Sequence, residues 1–155
     1  MNLRLSLIAL AAVAAAAPAA AQVSLENKVL KETSVRAADG TVTTRMSASK
    51  SLAPGDTAVY VMTYRNGGRT PASNLVIDNP VSKDIRYAGP ATGSPAPTVS
   101  VDGGRTYGQL QTLTVRGQNG QRAARFADVT NVRWTVAGPV APGSSGSVSY
   151  KGVVR

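Results

Sequence analysis

The chain has 155 residues, of which 43% are hydrophobic, 16% charged and 5% aromatic, and its formal net charge at pH 7 is +9. It contains no Cys and no His. These absences exclude, within this chain, disulfide scaffolds, thiolate or imidazole zinc sites, catalysis by Cys or by a Ser–His pair, and a histidine pH switch.

The first segment, Met1–Ala21, has the features of a secretory signal. Arg4 supplies a positive start, Leu5–Val13 is an apolar run, and three alanines at 19–21 provide a cleavage site. A short membrane anchor is the alternative, but a spanning helix needs about 20 apolar residues, usually stronger ones than alanine. We expect cleavage after residue 21 and one exported domain over 22–155, in the periplasm, on the outer surface or outside the cell.

The remaining chain consists of short strand-like segments separated by turns. The clearest is Thr57–Asn66, in which apolar side chains alternate between two turn signals. Further strands are predicted at Val23–Leu30, Thr41–Met46, Leu75–Asp78, Ile85–Ala88, Thr98–Val101, Arg105–Tyr107, Leu110–Val115, Val129–Val136 and Ser147–Val154. Turn residues recurring about every 8–12 positions predict an all-β, Ig-like β-sandwich of about seven to nine short, mostly antiparallel strands.

Three connecting segments carry their own predictions. Asp102-Gly103-Gly104 predicts a hairpin turn between the strands at Thr98–Val101 and Arg105–Tyr107, because glycine readily adopts positive φ. A short helical turn fits only within Gln118–Asp128. We expect the Pro-, Gly- and Ala-rich stretch Gly89–Pro97 to be a mobile inserted loop, with a linker as the alternative.

Two similar turns precede two of the strands. Ala53-Pro54-Gly55-Asp56 comes before the clearest strand, and Ala141-Pro142-Gly143-Ser144 comes before the last one. We interpret them as one turn design at two corners of a sandwich, with internal duplication as the alternative. The residues assigned to fold-determining turns are Pro54, Gly55, Asp56, Asn66, Gly67, Asp78, Pro142 and Gly143.

The aromatic and apolar residues that alternate along the strands define the expected core. Its predicted members are Tyr60, Tyr64, Val132, Trp134, Val136 and Tyr150. Trp134 is the single tryptophan. A sugar-stacking role is an alternative for it, but alternation with valines on one strand face favours core packing.

The positive charge is dispersed along the chain, and the densest group is Arg116, Arg122 and Arg125. Nucleic-acid readers usually show a clustered basic stripe, with stacking aromatics when they bind single strands, so no nucleic-acid partner is expected. The three arginines are candidate contacts for an anionic partner such as an envelope polysaccharide or lipid headgroups.

No sequence motif points to catalysis, so we expect neither enzymatic activity nor a cofactor. The eight acidic residues show neither a glycosidase pair nor a calcium loop. Calcium held by Asp56, Asp78 or Asp102 at one end of the sandwich is an alternative to their interpretation as turn formers.

A family resemblance follows from the turn and strand motifs. They are Ala53-Pro54-Gly55-Asp56-Thr57, Val59-Tyr60-Val61, Tyr64-Arg65-Asn66-Gly67-Gly68, Ala72-Ser73-Asn74-Leu75-Val76-Ile77-Asp78-Asn79-Pro80 and Val99-Ser100-Val101-Asp102-Gly103-Gly104. Together they resemble the DUF11-type repeat domain of bacterial surface and secreted proteins. The resemblance covers roughly residues 23–154. It implies an Ig-like sandwich with a structural, adhesive or envelope-associated use.

The expected function is therefore non-catalytic: a structural, adhesive or protein-interaction role in the bacterial envelope or outside the cell. Self-association is expected along exposed edge strands, for which the first and last strands, Val23–Leu30 and Ser147–Val154, are the candidates. The alternative is a periplasmic module that binds an anionic envelope polymer. An enzyme is the third hypothesis.

Overall fold

A computed structural model describes residues 22–49, 51–118 and 120–155, so the predicted leader lies outside the described residues. The described part is all-β, and its strand pairings are antiparallel. The strands are β1 (Val23–Arg36), β2 (Val42–Ala48), β3 (Thr57–Asn66), β4 (Val76–Pro80), β5 (Ile85–Pro90), β6 (Thr98–Ser100), β7 (Thr114–Gly117), β8 (Gly120–Ala123), β9 (Asn131–Thr135) and β10 (Ser145–Val154).

The strands form two facing sheets and a separate hairpin. The larger sheet has the order β2-β1-β3-β10-β5, the smaller has β4-β9-β6, and β7 pairs with β8 alone. The predicted β-sandwich is confirmed, although the described residues contain ten strands rather than seven to nine. Strand β1, with 14 residues, is longer than expected. No helix in the described part has the length and hydropathy needed to cross a bilayer.

The core lies between β3, β5 and β10 on one side and the whole smaller sheet on the other. The nine buried residues of its main cluster are Met62, Ile77, Tyr87, Val99, Val129, Val132, Trp134, Val148 and Tyr150. Of the predicted core, Val132, Trp134 and Tyr150 lie in this cluster, and Tyr60, Tyr64 and Val136 pack against it while partly buried. Alternation places these side chains inward because successive strand residues point to opposite faces.

An aromatic group around Tyr150 occupies the centre of this core. Its ring stacks on Tyr60 with centroids 4.8 Å apart. The rings of Tyr87 and Trp134 lie 5.9 and 6.4 Å from it at tilted angles. The Tyr150 hydroxyl accepts a hydrogen bond from Nδ2 of Asn79 at 3.1 Å, so its polar end is satisfied inside the sandwich.

Because the hydroxyl groups of Tyr87 and Tyr150 are buried, the free energy of unfolding should fall at high pH. Burial raises the pKa of Tyr87 to about 12 and also raises the pKa of Tyr150. An unfolded tyrosine ionises near pH ~10, so above that pH the unfolded state releases protons that the folded state retains. We expect the free energy of unfolding to decrease from pH 10 towards pH 12, by up to ~1.4 kcal/mol per pH unit for each such tyrosine. Urea unfolding at pH 8, 10 and 11 measures this slope, and Tyr87→Phe should flatten it; an unchanged slope would contradict the assignment.

The two Ala-Pro-Gly turns occupy equivalent corners of the β3–β10 pair. Gly55 and Gly143 have positive φ of 89° and 76°. The N–H of Gly55 donates to the carbonyl oxygen of Val154 at the end of β10, and the N–H of Gly143 donates to that of Asn66 at the end of β3. Both turns also close with the same bond between their first and fourth residues, at 3.0 Å in each. The same turn design therefore serves two corners, as interpreted from the sequence.

The connecting segments differ from the predictions. Arg105–Tyr107 forms no strand, because Asp102 holds this segment as a loop: its Oδ1 accepts from the N–H groups of Arg105 and Thr106, both at 3.0 Å. Leu110–Thr112 is a 3₁₀ helix, with β7 only following it. Within the predicted helical segment lie strand β8 and a second 3₁₀ helix, Phe126–Asp128.

The Gly89–Pro97 segment is anchored, contrary to the predicted mobile loop. Its first two residues belong to β5. The hydroxyl of Ser94 accepts from the N–H of Ser149 at 2.8 Å, and the carbonyl oxygen of Pro95 accepts from Nε1 of Trp134 at 2.8 Å. Backbone and side-chain bonds to β9 and β10 therefore hold this loop along the side of the sandwich.

Candidate interaction surface

Exposed apolar side chains are concentrated on the β1–β2 hairpin. Eight large hydrophobic residues are exposed among the described residues, and six of them lie on these two strands: Val23, Leu25, Val29, Val35, Val42 and Met46. Neither the main core cluster nor the partly buried side chains packed against it includes a residue of β1 or β2. The hairpin is thus an addition to the sandwich, attached through its backbone rather than through the core.

The strand register explains why the hairpin projects. Residues 23–32 of β1 pair with β3, whereas residues 30–36 pair with β2. The stretch Thr33–Arg36 therefore has only β2 beside it, and both strands are exposed there. A turn closes the tip, where the N–H of Ala37 donates to the carbonyl oxygen of Thr41 at 2.8 Å. The tip of the hairpin therefore extends beyond Thr57, the first residue of β3.

Two ion pairs, one on each face of the sheet, hold the base of the hairpin. Nζ of Lys31 donates to Oδ2 of Asp56 at 2.7 Å on one face, and Nζ of Lys151 donates to Oε1 of Glu32 at 2.9 Å on the other. The hydrogen bond from Lys31, together with the N–H of Ala53, lowers the pKa of Asp56. Asp56 therefore serves both its turn and the attachment of β1.

The exposed apolar residues form two rows on opposite faces. Because directly opposed residues of an antiparallel pair share a face, the inner row of Val23, Leu25 and Val29 continues the core-facing side of β3. On β2 the apolar residues are on the other face: the β2 row consists of Val42, Thr44, Met46 and Ala48. Each row lacks a covering layer within the described part of the chain.

The inner row is uncovered because the two sheets differ in width. The larger sheet continues past β3 to β1 and β2, whereas the smaller sheet ends at β4, which pairs only with β9. Between β1 and the free edge of β4 lies a groove of about 240 Å³. Its lining includes Asn27 and Val29 from β1, Tyr60 and Met62 from β3, and Asn79 and Pro80 from β4. We call it the β1–β4 groove.

No protein-family model, curated protein or solved structure matches this chain. The resemblance to the DUF11-type domain therefore stays a prediction.

The three arginines proposed for an anionic partner do not share one face. Val115 and Arg122 are opposite each other in the β7–β8 hairpin, as are Arg116 and Gln121, so Arg116 and Arg122 point to opposite sides. Both terminal nitrogens of Arg122 bond to the Asp128 carboxylate at 2.7 Å. The backbone N–H of Arg125 also donates to Asp128, at 2.8 Å. One arginine of the group is thus neutralised within the chain.

A polar cluster on the outer face of the smaller sheet was not expected. Asp78 lies in the middle of β4 rather than in a turn, which corrects the sequence interpretation. It accepts hydrogen bonds from the Tyr107 hydroxyl and from Nε of Arg133, the latter at 2.8 Å. Partial burial opposes ionisation, but these bonds outweigh it and lower the pKa of Asp78. The guanidinium of Arg133 also lies 3.6 Å from the ring centre of Tyr107.

The three candidate calcium ligands are in separate environments. Asp56 is paired with Lys31, Asp78 with Arg133, and Asp102 with the N–H and hydroxyl groups of its own loop. Bonds from the Thr106 N–H and the Ser100 hydroxyl lower the pKa of Asp102. Over residues 22–49, 51–118 and 120–155, no three acidic residues converge on a common point.

A wider cleft lies between the sheets beside the anchored loop. Its volume is about 510 Å³, and Tyr64, Trp134 and Val148 are among the residues that line it. The side-chain N–H of Trp134 already donates to the carbonyl oxygen of Pro95. This indole is 4% exposed, so it contributes to the wall of the cleft and not to an open sugar-stacking platform.

Proposed function

We propose that this chain is an exported, non-catalytic structural or adhesive module of the bacterial envelope or extracellular space, and that it associates with protein through the β1–β2 hairpin. One observation carries the proposal: six of the eight exposed large apolar side chains lie on a hairpin that contributes nothing to the core. A concentration of exposed apolar side chains on one element is typical of interaction sites.

Strand edges provide the means of association. At residues 23–29, β1 pairs only with β3, and β2 is the terminal strand of its sheet, so both present unpaired backbone groups. Such an edge accepts an additional strand from another chain unless charge, proline or a bulge protects it. The last strand, which was also a candidate edge in the sequence, lies between β3 and β5 and is not available.

The proposal predicts that polar substitutions on the hairpin separate assemblies without unfolding the protein. In the variant Leu25→Gln/Val29→Thr/Met46→Gln, we expect the native mass to fall to that of the monomer, because these side chains lose their apolar surface. The free energy of unfolding should change by less than ~0.5 kcal/mol per position, since all three are exposed. Gel filtration with light scattering on protein extracted gently from the cell envelope, followed by urea unfolding, measures both quantities.

The matched control is Phe126→Gln. Phe126 is 43% exposed, similar to Leu25 and Met46, but it packs edge-on against Tyr87 at the other side of the sandwich. This variant should retain the wild-type mass even where its stability falls. Wild-type protein that is monomeric both in envelope extracts and at high concentration contradicts the proposal.

A further inference from the structure

Three of the four terminal strands in the two sheets are protected against the addition of a further strand. Strands β4 and β5 end in Pro80 and Pro90, and proline has no N–H to donate. Strand β6 has only three residues, and Val99 exchanges backbone bonds with Gly108 on its outer edge. Strand β2 has seven residues, no proline and no bulge in its pairing with β1. It is therefore the terminal strand that leaves a regular edge open.

The free backbone groups of β2 belong to alternate residues. Where the hairpin closes, the N–H of Ala37 donates to the carbonyl oxygen of Thr41, and bonded pairs recur at every second residue from there. Thr43 and every second residue after it therefore bond to β1. The residues that turn their N–H and C=O groups towards the open edge are the four members of the β2 row.

A second copy of β2 matches this edge. In an antiparallel pair, directly opposed residues share a face, and they must both present their backbone groups to each other or both turn them away. When two copies of one strand pair about a two-fold axis through a residue, each residue opposes one that lies an even number of positions from it in the sequence. Members of the β2 row then oppose each other. The same residues supply the backbone bonds and the apolar contacts, and they include Val42 and Met46, which are 52% and 44% exposed.

Charge and apolar contact exclude the neighbouring registers. An axis through Arg45 would place this arginine directly opposite its own copy, and like charges in that position are destabilising. An axis through Met46 would place Val42 beyond the end of the opposing β2. An axis through Thr43 would place Met46 opposite Gly40 in the turn of the hairpin. Each of these registers leaves a repulsion or an uncovered apolar side chain.

An axis through Thr44 avoids both faults. Val42 of each copy then opposes Met46 of the other, which removes apolar surface from water. The two copies of Thr44 oppose each other on the same face, and threonine pairs across strands are stabilising. On the other face Arg45 opposes Thr43. Arg45 forms no ion pair within the described part of the chain, so the pairing breaks no salt bridge.

We propose that two copies of this chain pair through β2 about a two-fold axis at Thr44, with Val42 of each copy opposite Met46 of the other. We call this contact the β2 joint. It rests on the proposed function and names its partner as a second copy of this chain. Because it joins the same surface of both copies, it closes at a dimer. The two larger sheets become one continuous sheet with β5 at each end.

A cysteine on the axis tests the register, because the chain has no cysteine of its own. The protein carrying Thr44→Cys is extracted from the cell envelope under reducing conditions and then oxidised in air. The two thiols are directly opposed, at a Cα separation of about 5.5 Å that a disulfide spans. We expect a covalent dimer on a non-reducing gel. The matched control is Ala48→Cys, an exposed position on the same strand and face whose two copies lie about 27 Å apart in the β2 joint.

The results separate the β2 joint from the proposed function. A covalent dimer from Thr44→Cys, without one from Ala48→Cys, supports the β2 joint. If the wild-type mass is oligomeric but Thr44→Cys links no faster than Ala48→Cys, the β2 joint is wrong and association through the hairpin stands. If wild-type protein is monomeric in envelope extracts and at high concentration, and no link forms, both proposals fail.

A proline on the open edge gives a second readout that needs no cysteine. The N–H of Thr44 faces the open edge and not β1, so Thr44→Pro removes a bond of the β2 joint and keeps the bonds between β1 and β2. We expect the dimer dissociation constant to rise at least roughly tenfold, because one bond is lost from each copy. Light scattering on dilution measures it. Thr44→Val keeps the N–H and is the matched control. Association that is equally strong in both variants overturns the β2 joint.

Discussion

Replacing Tyr150 with alanine is expected to lower the free energy of unfolding by about 3–5 kcal/mol, the range for removing a large buried aromatic side chain. Tyr150 is 1% exposed and stacks on Tyr60, and its ring also faces Tyr87 and Trp134. The variant leaves a cavity among the rings of Tyr60, Tyr87 and Trp134, whose centres lie 4.8, 5.9 and 6.4 Å from that of Tyr150.

Tyr150→Phe separates the ring from its hydroxyl. It keeps the stacking and loses only the hydrogen bond from Asn79, so we expect a loss of about 1 kcal/mol. Urea unfolding monitored by the fluorescence of the single tryptophan, Trp134, measures both variants. A Tyr150→Ala protein within 1.5 kcal/mol of wild type would show that the two sheets do not depend on this residue.

The parts of this core that could be predicted from the sequence are those in which apolar residues alternate within a single strand. Strand β3 begins and ends at the predicted residues because period-two alternation runs without a break between two turns. Trp134 and Val132 follow the same rule in β9. Here the local pattern and the final environment agree, since alternating apolar residues have one way to be buried in a sandwich.

Two predictions failed because of hydrogen bonds made by particular side chains and carbonyl groups, between distant residues in one case and within a loop in the other. Gly89–Pro97 has the composition of a free loop, and its anchors on Trp134 and Ser149 lie about 40–55 positions away. Asp102 lies in a Gly-rich turn signal, but its carboxylate organises the following residues and prevents them from extending as a strand. Neither the anchoring of the loop nor the effect of Asp102 can be inferred from amino-acid composition.

The interaction surface was predictable only in part. The sequence indicated that the first strand is an edge, but it gave no indication that the hairpin extends beyond β3 or that the smaller sheet is two strands narrower. The exposure of Leu25 depends on that difference in width, whereas Met46 is exposed because it lies on the opposite face of the larger sheet. Similarly, the assignment of Asp78 to a turn failed because its partner Arg133 becomes a neighbour only through the β4–β9 pairing.

Asn66 is the second residue on which the fold depends strongly, and Asn66→Ala is expected to cost about 2–4 kcal/mol. Its side chain is fully buried, with Nδ2 donating to the carbonyl oxygens of Thr70 and Val140 at 2.8 and 2.9 Å. Oδ1 accepts from the N–H of Gly68 at 3.0 Å. Alanine removes all three bonds at once and leaves buried backbone groups with fewer partners.

Asn66→Asp distinguishes the donor from the acceptor role. The carboxylate still accepts from Gly68, but it faces two carbonyl oxygens that it cannot satisfy, and its charge is buried. We therefore expect it to be at least as destabilising as alanine at pH 7. Asn27→Ala, on the exposed part of β1, is the matched control and should change stability by less than ~0.5 kcal/mol.

The position of Asn66 explains why the loss of one side-chain amide is expected to lower stability so much. Its backbone also bonds to the second Ala-Pro-Gly turn, through Gly143 and Ser144, so one residue joins the end of β3, the start of β10 and the Ala72–Val140 bridge. Loss of the side chain should therefore reduce amide hydrogen-exchange protection at Ala72 and Ser144 together. If exchange accelerates at Gly68 alone, Asn66 only caps its own turn, and the corner is held by the backbone bonds of Gly143.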